Sequence, residues 1–128
     1  MDFTFPKPDD SDDFQNPNKT LETFCEEFNK TYHGHFYGNI VTSSDIISDN
    51  IFVINYSFWV AFLKINDYSY RFFEVIPEKS DGGFPVSINA FHGPMEEFGS
   101  AKNHEELNKL INKVLNSDRG RFIILSNY

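Results

Sequence analysis

The chain of 128 residues sets 19 Asp and Glu against 11 Lys and Arg, a formal charge of −8, and its 15 Phe, 6 Tyr and one Trp bring the aromatic share to 17%. That length suits one hydrophobic core. Binding to nucleic acid or to anionic membranes rests on clustered Lys and Arg, which this sequence lacks, so neither is an expected partner.

Residues 1–16 open the chain as an acidic arm. The stretch MDFTFPKPDDSDDFQNP has five Asp, little periodicity and none of the basic start and apolar run of a secretion signal, so the arm is expected to be mobile. Its Phe3, Phe5 and Phe14 would also let it dock onto its own domain or onto a partner. Residues 17–128 are read as a single α+β domain. The longest apolar run, near FWVAFL, is too short to span a bilayer. A lone cysteine, Cys25, allows no internal disulfide, and a cytoplasmic location is the expectation.

A helix is signalled from Asn16, which can cap it, with Pro17 at its first position and Leu21, Phe24, Cys25, Phe28 and Tyr32 as an apolar stripe at helical spacing. Lys19, Glu22, Glu26, Glu27, Asn29 and Lys30 fall off that stripe and are expected to face water. In YHGHFYG, which follows, His33 and His35 invite a metal reading. Two residues apart they share a direction only in a strand, and Gly34 reads as the left-handed residue that ends the helix. His33 then sits in the last helical turn and His35 leads into a strand. A zinc site needs three or four ligands, and His92 and His104 lie far along the chain without paired spacing, so no metal and no cofactor is assigned. Cys25, on the buried stripe, reads as a small apolar group rather than a nucleophile.

Strands are predicted at about 36–42, 52–65, 68–76 and 84–89, where β-branched and aromatic runs alternate with turn residues. Asn66 and Asp67 suit a hairpin between the second and third. The second strand would approach about 50 Å, so a bend or break is expected near residues 55–57. Pro85 places the fourth strand at an edge or stands at its start. A loop of about thirteen residues, AFHGPMEEFGS and its flanks, leads to a second helix from Asn103, with Asn103 and Glu106 at capping-box spacing and Leu107, Leu110, Ile111, Val114 and Leu115 on one face. The tail from Ser117 favours a short helix despite Gly120. The fold class is α+β: an antiparallel sheet of about four strands with an N-terminal helix and one or two C-terminal helices on one face.

A two-residue hairpin at Asn66-Asp67 would put Ile65 opposite Tyr68, Leu63 opposite Tyr70, Ala61 opposite Phe72 and Trp59 opposite Glu74 on one face. The other face would pair Phe58 with Val75, Val60 with Phe73, Phe62 with Arg71 and Lys64 with Ser69. Both faces are then largely apolar, whereas a sheet with one wet side alternates cleanly. The helices cover one face, and the second calls for the arm, another copy of the chain or a partner protein. Trp59, Tyr68, Tyr70 and Phe72 are the candidate binding residues there. His92, Glu96 and Glu97 form a second candidate cluster in the loop. No residue is assigned a catalytic role, because no phosphate loop, GxSxG elbow or HExxH is present.

FPVSI, followed after a loop by NHEELNKLINKVLNS, resembles a loose group of small bacterial domains in which an aromatic-Pro-Val-x-Ile strand precedes a helix with an acidic start. The likeness covers about the last half of the chain, and its motifs are structural. Some small acidic proteins of this general build are immunity or accessory proteins. The charge, the surplus aromatics and the missing catalytic set point to an interaction protein of immunity-like or accessory type, and the charge suits a basic partner. The alternative is a small ligand-binding domain or enzyme with a pocket between the sheet and the 90–102 loop, built on His92 with Glu96 or Glu97.

Overall fold

The structure is a computed structural model that describes residues 2–5, 16–48, 51–65, 68–78, 83–91 and 96–128, with the main chain alone for 45–48, 51–53 and 96. Most of the expected arm, residues 6–15, lies outside the described residues, as do Asn66, Asp67 and His92. The first helix, α1, spans Asn18–Thr31. The Asn16 side chain accepts from the Asn18 amide at 2.9 Å, with Pro17 between them already helical at φ −63° and ψ −19°. Proline suits that place because the missing amide would have had no helical partner. Leu21 and Phe28 are buried and Phe24, Cys25 and Tyr32 half-buried, as the stripe requires. Tyr32 caps the end, and Gly34 at φ +87° turns the chain, so His33 stands just past the helix rather than in its last turn.

Five strands follow: β1 (Phe36–Ser48), β2 (Ile51–Phe62), β3 (Ser69–Pro77), β4 (Val86–Ala90) and β5 (Glu96–Ala101). They form one antiparallel sheet in the order β1-β2-β3-β4-β5. Helices α2 (His104–Leu115) and α3 (Asp118–Ser126) complete an α+β fold with five strands where about four were expected. The added strand is β5, in the segment read as a loop. β1 is longer than expected, and β2 runs through 55–57 without the anticipated break. Pro85 stands just before β4, joined to Phe84 by a cis peptide bond, and its strand is central rather than at an edge.

The β2–β3 register also differs from the two-residue hairpin. Phe58 opposes Phe73 and Trp59 opposes Arg71, leaving Phe72 as the extra residue of a bulge. That bulge reverses the alternation in β3, so Tyr70 and Phe72 before it face the same side as Phe73 and Val75 after it. Two adjacent phenylalanines are thereby both buried, each about 1% exposed. Phe24 and Phe28 of α1 set their rings edge-on to Phe58 at 4.9 and 5.0 Å, and Phe73 lies 5.3 Å from it. Such pairs contribute about 0.5–1.5 kcal/mol each beyond the area they bury. Much of the aromatic surplus is thus core, not surface.

The second helix begins as its sequence demands: Asn103 Oδ1 accepts from the Glu106 amide at 2.9 Å, and the Glu106 carboxylate reaches back to the Lys102 amide at 3.2 Å. α3 is capped by Ser117, whose hydroxyl oxygen accepts from the Gly120 amide at 3.1 Å. Asn29 departs from its expected place in water. Its side chain donates to the Gly38 carbonyl at 3.0 Å and accepts from the Gly38 amide at 2.6 Å.

Candidate functional site

Core packing of Phe36, Gly38, Phe58, Val60 and Phe62 turns the intervening residues of β1 and β2 to the opposite face of the sheet. On that face Tyr37 pairs with Ala61, Asn39 with Trp59 and Val41 with Ser57. Tyr37 is 58% exposed and Val41 41%, while Trp59 and Ala61 are half-buried. Tyr37, Asn39, Val41, Trp59, Ala61 and Ser69 line a shallow depression of about 510 Å³. At its margin the Arg71 guanidinium lies 5.9 Å from the Trp59 ring centroid and pairs with the Glu74 carboxylate at 3.4 Å. A cation over an indole face is favourable and fixes the ring's inner edge. Farther across, Glu74, Asn89 and Glu97 fall into one row through β3, β4 and β5, so the same face turns polar away from β1.

The expected site residues are thus divided. Trp59 lies on the open face. Tyr68 stands at the hairpin turn, 46% exposed and stacked on Phe62 at 5.6 Å. Tyr70 packs against the core, and Phe72 is buried beneath the helices, so these two do not share a surface with Trp59. Glu96 opens β5 opposite Ala90, and Glu97 is exposed opposite Asn89. Tyr37, Asn39 and Val41 belong to the depression and were not among the candidates. The signal for them was the alternation itself, since Phe36, Gly38 and Ile40 claim the other face.

A second groove of about 340 Å³ lies between α1 and the outer edge of β1, lined by Asn18, Glu22, Glu26, Asn29, Asn39 and Thr42, with Cys25 and Ile40 at its floor. Burial pushes the Cys25 thiol above its ordinary value, against smaller opposing hydrogen bonds from the Ile40 amide and Asn29. Its sulfur donates to the Gly38 carbonyl at 3.2 Å. A protonated thiol held by main chain is a packing group. At the other side of α1, Thr20 Oγ1 hydrogen bonds to His104 Nδ1, tying α1 to α2, and burial followed by the nearby Lys19 charge lowers the imidazole below its ordinary value. Phe84 meets the ring edge-on at 5.0 Å. No carboxylate among the described residues orients that ring as a base would require, so the pair reads as a tie between helices. His35 stacks flat on Tyr128 at 3.9 Å. Among the described residues no three His, Cys, Asp or Glu side chains gather to hold a metal ion, and no helix is long and apolar enough to cross a membrane. No family model, no curated protein and no solved structure matches this chain.

Proposed function

We infer that the chain is a protein-interaction module whose docking surface is the open face of the sheet around Tyr37, Val41, Trp59 and Ala61. The observation that carries this reading is the exposure of Tyr37 and Val41 on the face of the sheet opposite Phe58 and Phe73, against which Phe24 of α1 packs. An apolar, partly aromatic centre with Arg71, Glu74 and Asn39 around it has the composition of a binding patch. With a charge of −8, encounter with a basic partner is favoured by long-range attraction. An accessory or immunity-like role in the cytoplasm fits that chemistry.

The test is photo-crosslinking in the native host, with benzoylphenylalanine in place of Tyr37 and, as a control, in place of Lys113 on the outer side of α2. A discrete cross-linked species identified by mass spectrometry at position 37, absent at 113 and lost on Trp59→Asp, is the expected result. Identical patterns at the two positions would sink the open-face reading.

A further inference from the structure

Main-chain groups on the outer edge of β1 are taken up one after another by α1, and then the pattern stops. Pairing with β2 turns alternate residues of β1 outward. The Phe36 amide donates to the Tyr32 carbonyl at 3.0 Å, Gly38 is held at both its amide and its carbonyl by Asn29, and the Ile40 amide meets the Cys25 sulfur. The same alternation turns Thr42, Ser44 and Ile46 outward. Among the described residues no partner meets their main-chain groups on that side.

The strand is also short of neighbours there. β1 and β2 stay paired as far as Ser48 and Ile51, but β3 joins β2 only from Tyr56 onward. Among the described residues, 42–48 and 51–55 are therefore a two-stranded ribbon, which is marginal in water without a third strand. The groove walled by Glu22 and Glu26, one helical turn apart, reaches the ribbon at Thr42, and no Lys or Arg is among its described lining residues. Glu22 accepts from Asn18 at 2.9 Å and is held toward the groove. On the other side of the strand Val41 leads into the open face.

We propose that the β1 edge from Thr42 to Ile46 is the docking site for an extended segment of a partner protein with Lys or Arg at alternate positions and apolar side chains between them, added as a sixth strand. This rests on the reading of the chain as a protein-binding module and names the partner's chemistry. Main-chain hydrogen bonds supply the attachment. Alternation sends the basic side chains to Glu22 and Glu26 and the apolar ones alongside Val41. A second copy is the poorer fit, because it brings another charge of −8 and its own β1, Phe36–Ser48, contains no Lys or Arg to offer the acidic wall.

The experiment uses the full chain and a fluorescein-labelled, end-blocked KVKVKVK peptide, read by anisotropy at low ionic strength, with EVEVEVE as its counterpart. Saturable binding of the basic peptide alone is expected, with slowed hydrogen exchange at Thr42, Ser44 and Ile46. Ser44→Pro removes an outward amide and leaves the β1–β2 ladder whole, so an unchanged thermal melt with roughly tenfold weaker binding is expected. Glu22→Gln with Glu26→Gln should weaken binding and flatten its salt dependence. Absence of saturable binding, indifference to Ser44→Pro, or equal binding of EVEVEVE overturns the proposal. Dimerisation of the chain alone, by light scattering, that Ser44→Pro abolishes also overturns it by making a second copy the occupant. Peptide binding that depends on Ser44 while position 37 captures nothing removes the open-face reading and leaves the edge standing.

Discussion

The carboxamide of Asn29 closes on the main chain of Gly38 from both directions, donating to its carbonyl at 3.0 Å and accepting from its amide at 2.6 Å. One side chain thus does for the edge of β1 what a neighbouring strand would do, and it fixes how far α1 stands from the sheet. Asn29→Ala leaves the buried Gly38 amide without a partner and its carbonyl with the weak Cys25 thiol alone, a loss expected to cost about 1–3 kcal/mol. Urea unfolding measures it. Cys25→Ala should cost less, since Asn29 still satisfies the same carbonyl. If the two variants prove equally mild, the clamp is not what holds α1 to β1.

Gly38 is also a point where ring and main chain meet closely. A Cβ there would lie 2.6 and 2.7 Å from two ring carbons of Phe58 and 3.0 Å from Phe28. Gly38→Ala therefore drives overpacking, with an expected loss of about 1–3 kcal/mol. Phe58→Leu makes room, so the double variant should lose less than the two single losses added together. Simple additivity in a double-mutant cycle would show that the contact is not the source of the loss.

How far the sequence foretold these contacts depends on what kind of signal each left. Both long helices were readable because their stripes and caps are local: Asn103 and Glu106 lie three apart and meet as that spacing implies. Asn29 falls off the apolar stripe by residue type but stands four residues after Cys25, on its flank, and so reaches Gly38 instead of water. EEFGSA has the look of a loop in sequence because it is a strand only by virtue of β4 beside it, with Gly99 and a bulge interrupting any alternation. The bulge at Phe72 moved Tyr70 and Phe72 away from Trp59. Its only trace in the sequence is the adjacent pair Phe72-Phe73, two large rings that cannot share one face of a regular strand. Trp59 and Ala61 share a face in the sequence reading as in the structure, whereas Tyr37, Asn39 and Val41 join them only through the β1–β2 pairing, because face membership across strands is fixed by register, and register is set by contacts between segments rather than within them.

His104 gives the fold a pH dependence of known sign. Its imidazole is held below the ordinary value of 6.5, first by burial and then by the Lys19 charge, with Thr20 and Phe84 packed on the ring. A base that takes a proton less readily when folded contributes stability that is complete above the unfolded value and is lost as pH falls through the folded one. Stability should decline below about pH 6.5 on this account. His104→Gln, which keeps a polar partner for Thr20 without titrating in this range, should reduce the slope. Urea midpoints between neutral pH and about pH 5 test it. A slope equal in the two proteins assigns the effect to other groups.

The docking of α3 turns on Gly120. A Cβ at that position would stand 2.2 Å from the Val114 carbonyl oxygen and 2.9 Å from that of Leu115, both main-chain atoms that cannot rotate away. Glycine is what lets the first turn of α3 sit against the end of α2, and the hydroxyl of Ser117 caps the helix at the same point. Gly120→Ala must push α3 outward, exposing Ile124, which is 7% exposed in the docked helix, and lifting Arg119 from its place 5.0 Å over the Phe91 ring. Because the core contacts of α3 are few, this displacement should appear as local opening before global unfolding. Trypsin reports on it directly, since Arg119 and Arg121 both lie in the first half of the helix. Cleavage there should quicken by roughly tenfold or more for a loss of about 1.4 kcal/mol in docking, while the sheet and the first two helices keep their protection. Gly120→Ala with cleavage as slow as in the parent chain would mean that α3 accommodates the methyl by a shift of main chain that leaves Ile124 buried.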